Sequence, residues 1–298
     1  MRARHRLSIS LRSIICTNRV NGRPLQRPAW YYDTTIQGDG VVDVQSHMVE
    51  QAQWWVLGEA EGDGERDIVL DSVRCWTTPV PLALFHESTG LNAYPEALQS
   101  SVRDGVLQYA CNGEIRYRLH GISVRQTAEW RQREPEGAGD LHRLTIRGSR
   151  CHVLVRQDED TGYKAMLHLV PVAGVALESM LPSVLAQWQE HFPGLAGEPS
   201  ALGVCLRLAP ALDLGHESQF ALVLNAFLDH LDRGTWPKAL PARMRMRLYP
   251  AGAGPRPGTA ATHRRLTMKM HVECRGAWMG RGCRAVAPRR SSRGRVKR

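Results

Sequence analysis

The clearest periodicity in the chain lies between residues 40 and 57. Val44, Met48, Ala52 and Trp55 recur at helical spacing and predict an amphipathic helix. Asp43, His47, Gln51 and Trp54 fall on an adjacent stripe that is polar but weakly charged, as a cleft wall would be. Further along, the period drops to two. Residues 68–76 alternate, and so do 106–111 and 114–119, which flank Asn112-Gly113, a dipeptide suited to a tight hairpin turn. Segments 122–130, 141–147, 151–157, 163–170 and 202–208 bring the predicted strands to about eight.

Helices are predicted near 94–102, over about 175–191 with a bend at Pro182, and over 217–231. The last places Phe220, Val223, Leu224, Phe227 and Leu231 on one face and ends at Gly234 and Pro237. An extended, proline-punctuated arm over 21–28 leads into the aromatic cluster 29–33. Hairpin-linked strands with helices before and after them predict an α+β domain. Its sheet is open-faced, mainly antiparallel and of about eight strands, with helices on one face.

The ends differ from this body. Residues 1–17 show no period and read as an irregular basic N-terminus. Residues 248–298 are rich in Arg, Gly, Ala and Pro with almost no acid, a composition expected to stay disordered. The folded domain is therefore placed at 18–247.

Charge follows the same division. The formal net charge is +10. Yet residues 243–298 hold 16 Lys and Arg against one acid, and residues 1–30 hold seven Arg and no acid. The segment between them holds 16 basic and 28 acidic residues. An acidic body repels phosphate backbones, so nucleic-acid binding through the basic tails is the weakest of the functional classes considered. Seven cysteines with no C-x-x-C pair argue against a disulfide framework and a standard zinc site. His263, His271, Cys274 and Cys283 are too irregularly spaced to change that reading. No apolar run reaches the length of a membrane span and the N-terminus makes a poor signal peptide, so a cytoplasmic location is expected.

Candidate chemistry centres on Gly38-Asp-Gly40-Val-Val-Asp43-Val-Gln-Ser-His47. Four residues apart on a helix, Asp43 and His47 share a face beside a glycine turn. A carboxylate that orients an imidazole suits proton transfer near neutral pH. The plain alternative is an aspartate favoured by the helix dipole and a surface histidine. Asp140 and His142 follow a glycine-rich loop, a usual place for binding groups, and share a side if a strand begins there. Arg27, Trp30 and Tyr31 offer the fork and ring faces that suit polyols and carboxylates, or an arm packed on its own sheet. His216 and Glu217 fit the first turn of the last helix, and Trp54 fits the core better than ligand stacking.

With its flanks and sheet order, the glycine–Asp–His segment resembles the substrate domain of the Gfo/Idh/MocA oxidoreductases. Within them it is similar to a subgroup with a distinctive C-terminal domain. The arm from Asn21 to Asp33, Gly137-Ala-Gly-Asp140-Leu-His142 and His216-Glu-Ser-Gln-Phe220 carry the subgroup match, which covers about residues 18–247. The resemblance implies an NAD- or NADP-dependent oxidoreductase acting on a sugar- or polyol-like substrate. His47 would be the acid/base and Asp43 its companion, with Arg27, Trp30, Tyr31, Asp140 and His142 around the substrate. It also implies subunit packing through the open sheet face, hence a homo-oligomer.

Two features depart from the family. No Gly-x-Gly-x-x-Gly follows a strand, and the segment that brings the family's catalytic lysine is missing; the chain's four lysines all lie at or beyond Lys164. The nucleotide-binding domain is thus expected to be absent and the chain inactive alone, with a non-enzymatic remnant as the alternative. The abrupt composition change at 248 is what a shifted reading frame would produce, and so is the irregular start before about residue 18. Retranslating the DNA in the other frames tests both.

Overall fold

The protein is represented by a computed structural model that describes residues 7–16, 19, 20, 23–58, 60–131, 139–212 and 215–252. The first strand is β1 (Ser8–Cys16), followed by the short pair β2 (Arg19–Val20) and β3 (Arg23–Pro24). A 3-10 turn at Ala29–Tyr32 leads to α1 (Val44–Leu57) and the short α2 (Gly64–Asp67). Then come β4 (Ile68–Val80), α3 (Leu82–Thr89), a 3-10 turn at Glu96–Ser101, β5 (Val102–Arg103), β6 (Val106–Leu119) and β7 (Ile122–Arg131). The second half holds β8 (Leu141–Arg147), β9 (Cys151–Gln157), β10 (Met166–Pro171) and α4 (Leu177–Gln189). It closes with β11 (Ala196–Ser200), β12 (Gly203–Arg207), α5 (Gly215–Arg233) and α6 (Leu240–Gly252).

Ten of these strands form one open sheet in the order β11-β12-β10-β9-β8-β1-β7-β6-β4, with β5 paired to β6. Every pairing is antiparallel except β1 with β7. The predicted α+β class and open, mainly antiparallel sheet are therefore correct, with two strands more than expected. One face carries the helices. Met48, Val49 and Ala52 of α1 meet Ile9, Leu11, Ile115, Tyr117, Val124 and Ala128 in a single buried cluster. A second cluster gathers Tyr32, Phe85, Leu107, Tyr109 and Trp130 beneath α3 and the aromatic turn. Burying these apolar faces supplies the main drive for folding.

The face of α1 that meets the sheet holds Val44, Met48 and Ala52 of the predicted stripe but not Trp55. Gln45 and Gln53 are buried with Met48, Val49 and Ala52, while Trp54 and Trp55 are 48% and 41% exposed. The glutamines tie the helix to the strands: Gln45 Nε2 donates to the carbonyls of Gly113 and Gln126, and Gln126 Nε2 donates to Met48 O and Tyr117 Oη. Trp54 lies under the Arg243 guanidinium at 4.0 Å, so it is not a core residue.

Four further expectations need correction. Asn112-Gly113 is not a turn; β6 runs unbroken through it. Asn112 is buried, accepting the N–H of Trp130 at 2.7 Å and donating to Thr78 at 2.8 Å. A Cβ on Gly113 would crowd Gln45 and Val41, so the glycine there admits α1. The hairpin turns fall at Asp104-Gly105 and His120-Gly121, where both residues have positive φ. Residues 1–17 are not wholly irregular, because β1 sits in the middle of the sheet. Ile9 and Leu11 point to the helices, but Ile14-Ile15-Cys16 is apolar on both faces and blurs the period. Nor does order stop at 247, since α6 continues to Gly252 and Tyr249 packs over Gly64 and the main cluster. The final helix is this α6 rather than α5. Residues 132–138 and the zinc candidates beyond 252 lie outside the described residues.

Candidate active site

The site begins with two glycines. Gly38 has φ +87°, and Gly40 donates its N–H to Ala110 O at 3.1 Å. A Cβ on Gly40 would overlap the Cys111 carbonyl, so only glycine lets this turn lie directly on β6. Asp39 Oδ1 then accepts the N–H groups of Val41 (3.0 Å) and Val42 (3.2 Å). Asp43 stands at the N-cap of α1 yet makes no capping bond with its side chain. Its carboxylate instead receives Gln37 Nε2 at 3.2 Å and Tyr31 Oη at 3.5 Å. Dipole stabilisation alone leaves those two bonds unexplained.

Around Asp43 the arm and the sheet build a wall of rings. Arg27 lies over Tyr31 at 4.0 Å and within 5.2 Å of Trp130. Tyr31 also meets Tyr32, Tyr109 and Trp130 at 5.9, 6.3 and 6.1 Å between ring centres, and Tyr109 Oη donates to its carbonyl. Burial raises the Asp43 carboxyl above its usual range, opposed by Gln37, His47, Arg27 and Tyr31. Burial likewise holds the Tyr31 phenol far above its ordinary value, helped by the charge of Asp43. Tyr31 is therefore a neutral donor to a carboxylate.

One turn along, His47 is exposed on α1. Desolvation by its neighbours lowers its pKa, aided by the charge of Arg247 and opposed by Asp43 and Glu50. Arg247 of α6 donates to the ring at 3.2 Å from Nδ1 and pairs with Glu50 at 2.9 Å. A guanidinium only donates, so it bonds the ring where a nitrogen carries a lone pair, which favours the neutral imidazole as the lowered pKa does.

Of the residues singled out from sequence, Arg27, Tyr31 and Asp43 come together, with His47 beside them. Trp30 is half exposed, and no described contact brings its ring to Asp43. The side-chain bonds described for Asp140 and His142 go to β1: Asp140 Oδ1 accepts Cys16 N–H at 3.0 Å, and His142 Nδ1 lies 3.0 Å from Ser13 Oγ; the Asp140 carbonyl accepts Gln157 Nε2 of β9 at 3.0 Å. Asp140 precedes β8 rather than belonging to it, so the two do not alternate along one strand. Burial lowers the pKa of His142, and the Asp140 charge raises it. Gln37, Trp130 and Arg247 were missed. No local pattern links Arg247 to a histidine 200 positions earlier.

The start of α1 does not fit the phosphate part of a dinucleotide. That group needs free backbone N–H groups at a helix start. At the start of α1, Asp39 already occupies the N–H groups of Val41 and Val42, and Asp43 adds a second carboxylate. Among the described residues no group of three potential ligands could hold a metal, and no helix is long and apolar enough to cross a membrane.

The fold is an α+β domain built on a large open, mostly antiparallel sheet. Residues 5–250 match the family described as putative oxidoreductase C terminal domain, and the chain belongs to that family. A crystal structure of a putative oxidoreductase from Parabacteroides merdae is similar at 30% identity and a TM-score of 0.79. The similarity covers 84% of this chain and 58% of that one, so the chain spans just over half the relative's length. A putative oxidoreductase from Erwinia carotovora atroseptica matches at 14% identity and a TM-score of 0.36, over 63% of this chain and 50% of that one. No curated protein matches.

Proposed function

We propose that this chain is the substrate-side domain of an NAD(P)-dependent oxidoreductase, with a sugar- or polyol-like substrate lying against Arg27, Tyr31, Asp43 and His47. The observation that supports it best is the Asp43 carboxylate. It stands at a helix start without capping it, and is held by Gln37 and Tyr31 beside a neutral imidazole. Oxidising an alcohol requires loss of the hydroxyl proton, and a neutral imidazole with a lowered pKa accepts one near neutral pH. The resulting imidazolium gains from the charges of Asp43 and Glu50. Asp43 accepts a second substrate hydroxyl, and the ring faces of Tyr31 and Trp130 bound the carbon skeleton. The hydride acceptor, NAD or NADP by resemblance, is not held by the described residues. Alone, the chain is proposed to bind substrate without turning it over.

Titrating the full chain with polyols and sugar acids, followed by tryptophan fluorescence, tests the reading. Saturable binding is expected, weakened about tenfold in Asp43→Asn and Arg27→Gln. NAD(H) and NADP(H) are expected not to bind. Absence of binding by every polyol and sugar acid, or tight dinucleotide binding by this chain, would overturn it.

A further inference from the structure

Four arginines of described burial are not exposed: Arg27, Arg156, Arg243 and Arg247. Three of them have an acceptor. Arg156 pairs with Asp158 and Asp160, Arg243 donates to the Gly58 carbonyl, and Arg247 pairs with Glu50. Arg27 differs. Its main-chain N–H is fixed to Ser88 O of α3 at 2.7 Å. Its guanidinium lies over the Tyr31 ring at 4.0 Å and 5.2 Å from the centre of the Trp130 ring. Among the described residues that guanidinium has these ring contacts but no hydrogen-bond acceptor and no ion-pair partner.

A guanidinium carries five N–H donors and no acceptor, and partial burial leaves those donors short of water. Ring faces attract the charge but do not replace oxygen acceptors. Nor does Asp43 meet the need. Tyr31 stands between the two charges, with the guanidinium over its ring and the Asp43 carboxylate 3.5 Å from its hydroxyl. The charges therefore attract across the ring without pairing. The in-plane donors of a guanidinium match the two oxygens of a carboxylate. A single negative charge suits this place, because the second charge of a phosphate would be set against Asp43. A neutral polyol would leave the guanidinium unanswered.

Resting on the reading of the site given above, we propose that the substrate is a sugar acid, whose single carboxylate is taken by Arg27 while its hydroxyls face Asp43 and His47. Tyr31 then divides the acid end from the reacting end: its ring carries the guanidinium and its hydroxyl holds Asp43. Arg27 becomes the residue that selects an acid over the corresponding alcohol.

Titration of the full chain with matched aldonates and alditols tests this at constant ionic strength, read by tryptophan fluorescence. The pairs are gluconate with glucitol, galactonate with galactitol and mannonate with mannitol. At least one aldonate should bind about tenfold or more tighter than its alditol. Arg27→Gln should remove that preference, weakening the aldonate about tenfold or more and the alditol less than about threefold. Unchanged circular dichroism and melting temperature would show that the variant is folded. If it is not, Arg27→Lys, which keeps the charge and loses the fork, replaces it and should still weaken the aldonate several-fold. An acid preference that survives the loss of Arg27 would overturn the proposal, and so would glucitol 6-phosphate binding tighter than gluconate. Alditols that bind as tightly as their aldonates, and are weakened by Asp43→Asn, would overturn the sugar acid and leave the site itself standing. Absence of binding by every aldonate and alditol would overturn both.

Discussion

Arg247 donates a hydrogen bond to the ring of His47, 3.2 Å from Nδ1, and so joins α6 to the helix that carries the candidate site. The same guanidinium reaches Glu50 at 2.9 Å and Ser46 Oγ at 3.3 Å. Its charge adds to burial in favouring the neutral ring, and its Nη2 lies within 3.2 Å of Nδ1 and 3.5 Å of Nε2. For the ring to accept a proton there, the guanidinium must withdraw toward Glu50, its other partner.

Replacing Arg247 with Gln removes a positive charge and leaves Asp43 and Glu50 facing the ring. The pKa of His47 should then rise from its lowered value toward or above the ordinary histidine range. An NMR titration of the His47 ring proton reads this directly. A pKa that stays put would mean that burial alone sets it. The variant should also lose about 1 kcal/mol of stability, because the tie between α6 and α1 goes with it.

Asp43→Asn carries the opposite expectation for stability. The folded carboxyl titrates above its unfolded value, so its burial costs stability wherever the unfolded group is ionised. That cost is present at neutral pH and is relieved as pH falls through the raised folded value toward 3.8. The variant should therefore be at least as stable as the wild type at pH 7, and its relative advantage should be gone by about pH 4. His47 should meanwhile titrate lower still, having lost a supporting charge. Thermal melts of the two proteins at both pH values decide it; a variant less stable at pH 7 would show that Asp43 serves the fold.

The sheet strands were legible where one face meets helices and the other does not: the limits of β8 and β9 match the alternation residue for residue. Alternation failed at β1, whose last three residues are apolar on both faces, and at Asn112-Gly113. There a dipeptide with turn chemistry serves a different need, a buried amide and room for a helix. Asp43 and His47 were legible because a four-residue spacing is local. Their partners Gln37, Trp130 and Arg247 reach them by tertiary packing, which no local pattern records. The side chains of Asp140 and His142 turned out to bond β1, the strand that sequence left irregular.

Gly40→Ala should be among the most damaging single changes in the chain. The added methyl group meets the Cys111 carbonyl, a backbone atom of β6, and not the tip of a movable side chain. Relief requires lifting the turn from Ala110 and moving the start of α1. A loss of about 2–4 kcal/mol follows, with Asp43 displaced from Gln37 and Tyr31. Gly58→Ala, where nothing lies within 4 Å, is a useful contrast, although its φ of +56° still strains an alanine by about 1 kcal/mol. Urea unfolding of both variants tests the ranking; equal losses would refute the steric account of the glycine.

Asp67 gives a stability dependence of opposite sign to that of Asp43. It is buried and accepts Arg66 Nε at 2.8 Å, Arg66 Nη2 at 3.0 Å and the Asp63 N–H at 2.8 Å. The bonds from Arg66 drive its carboxyl well below the usual range, against the effect of burial. A depressed folded value means stabilisation that is complete above the unfolded pKa of 3.8 and lost as pH falls below it. Arg66 is largely exposed, so the pair is screened and the contribution is modest. Asp67→Asn should cost about 1–2 kcal/mol at pH 7, and the difference from wild type should narrow below about pH 4. Urea unfolding of both proteins across that range measures it. A gap independent of pH would place the role of Asp67 in packing at the α2–β4 junction and not in its charge.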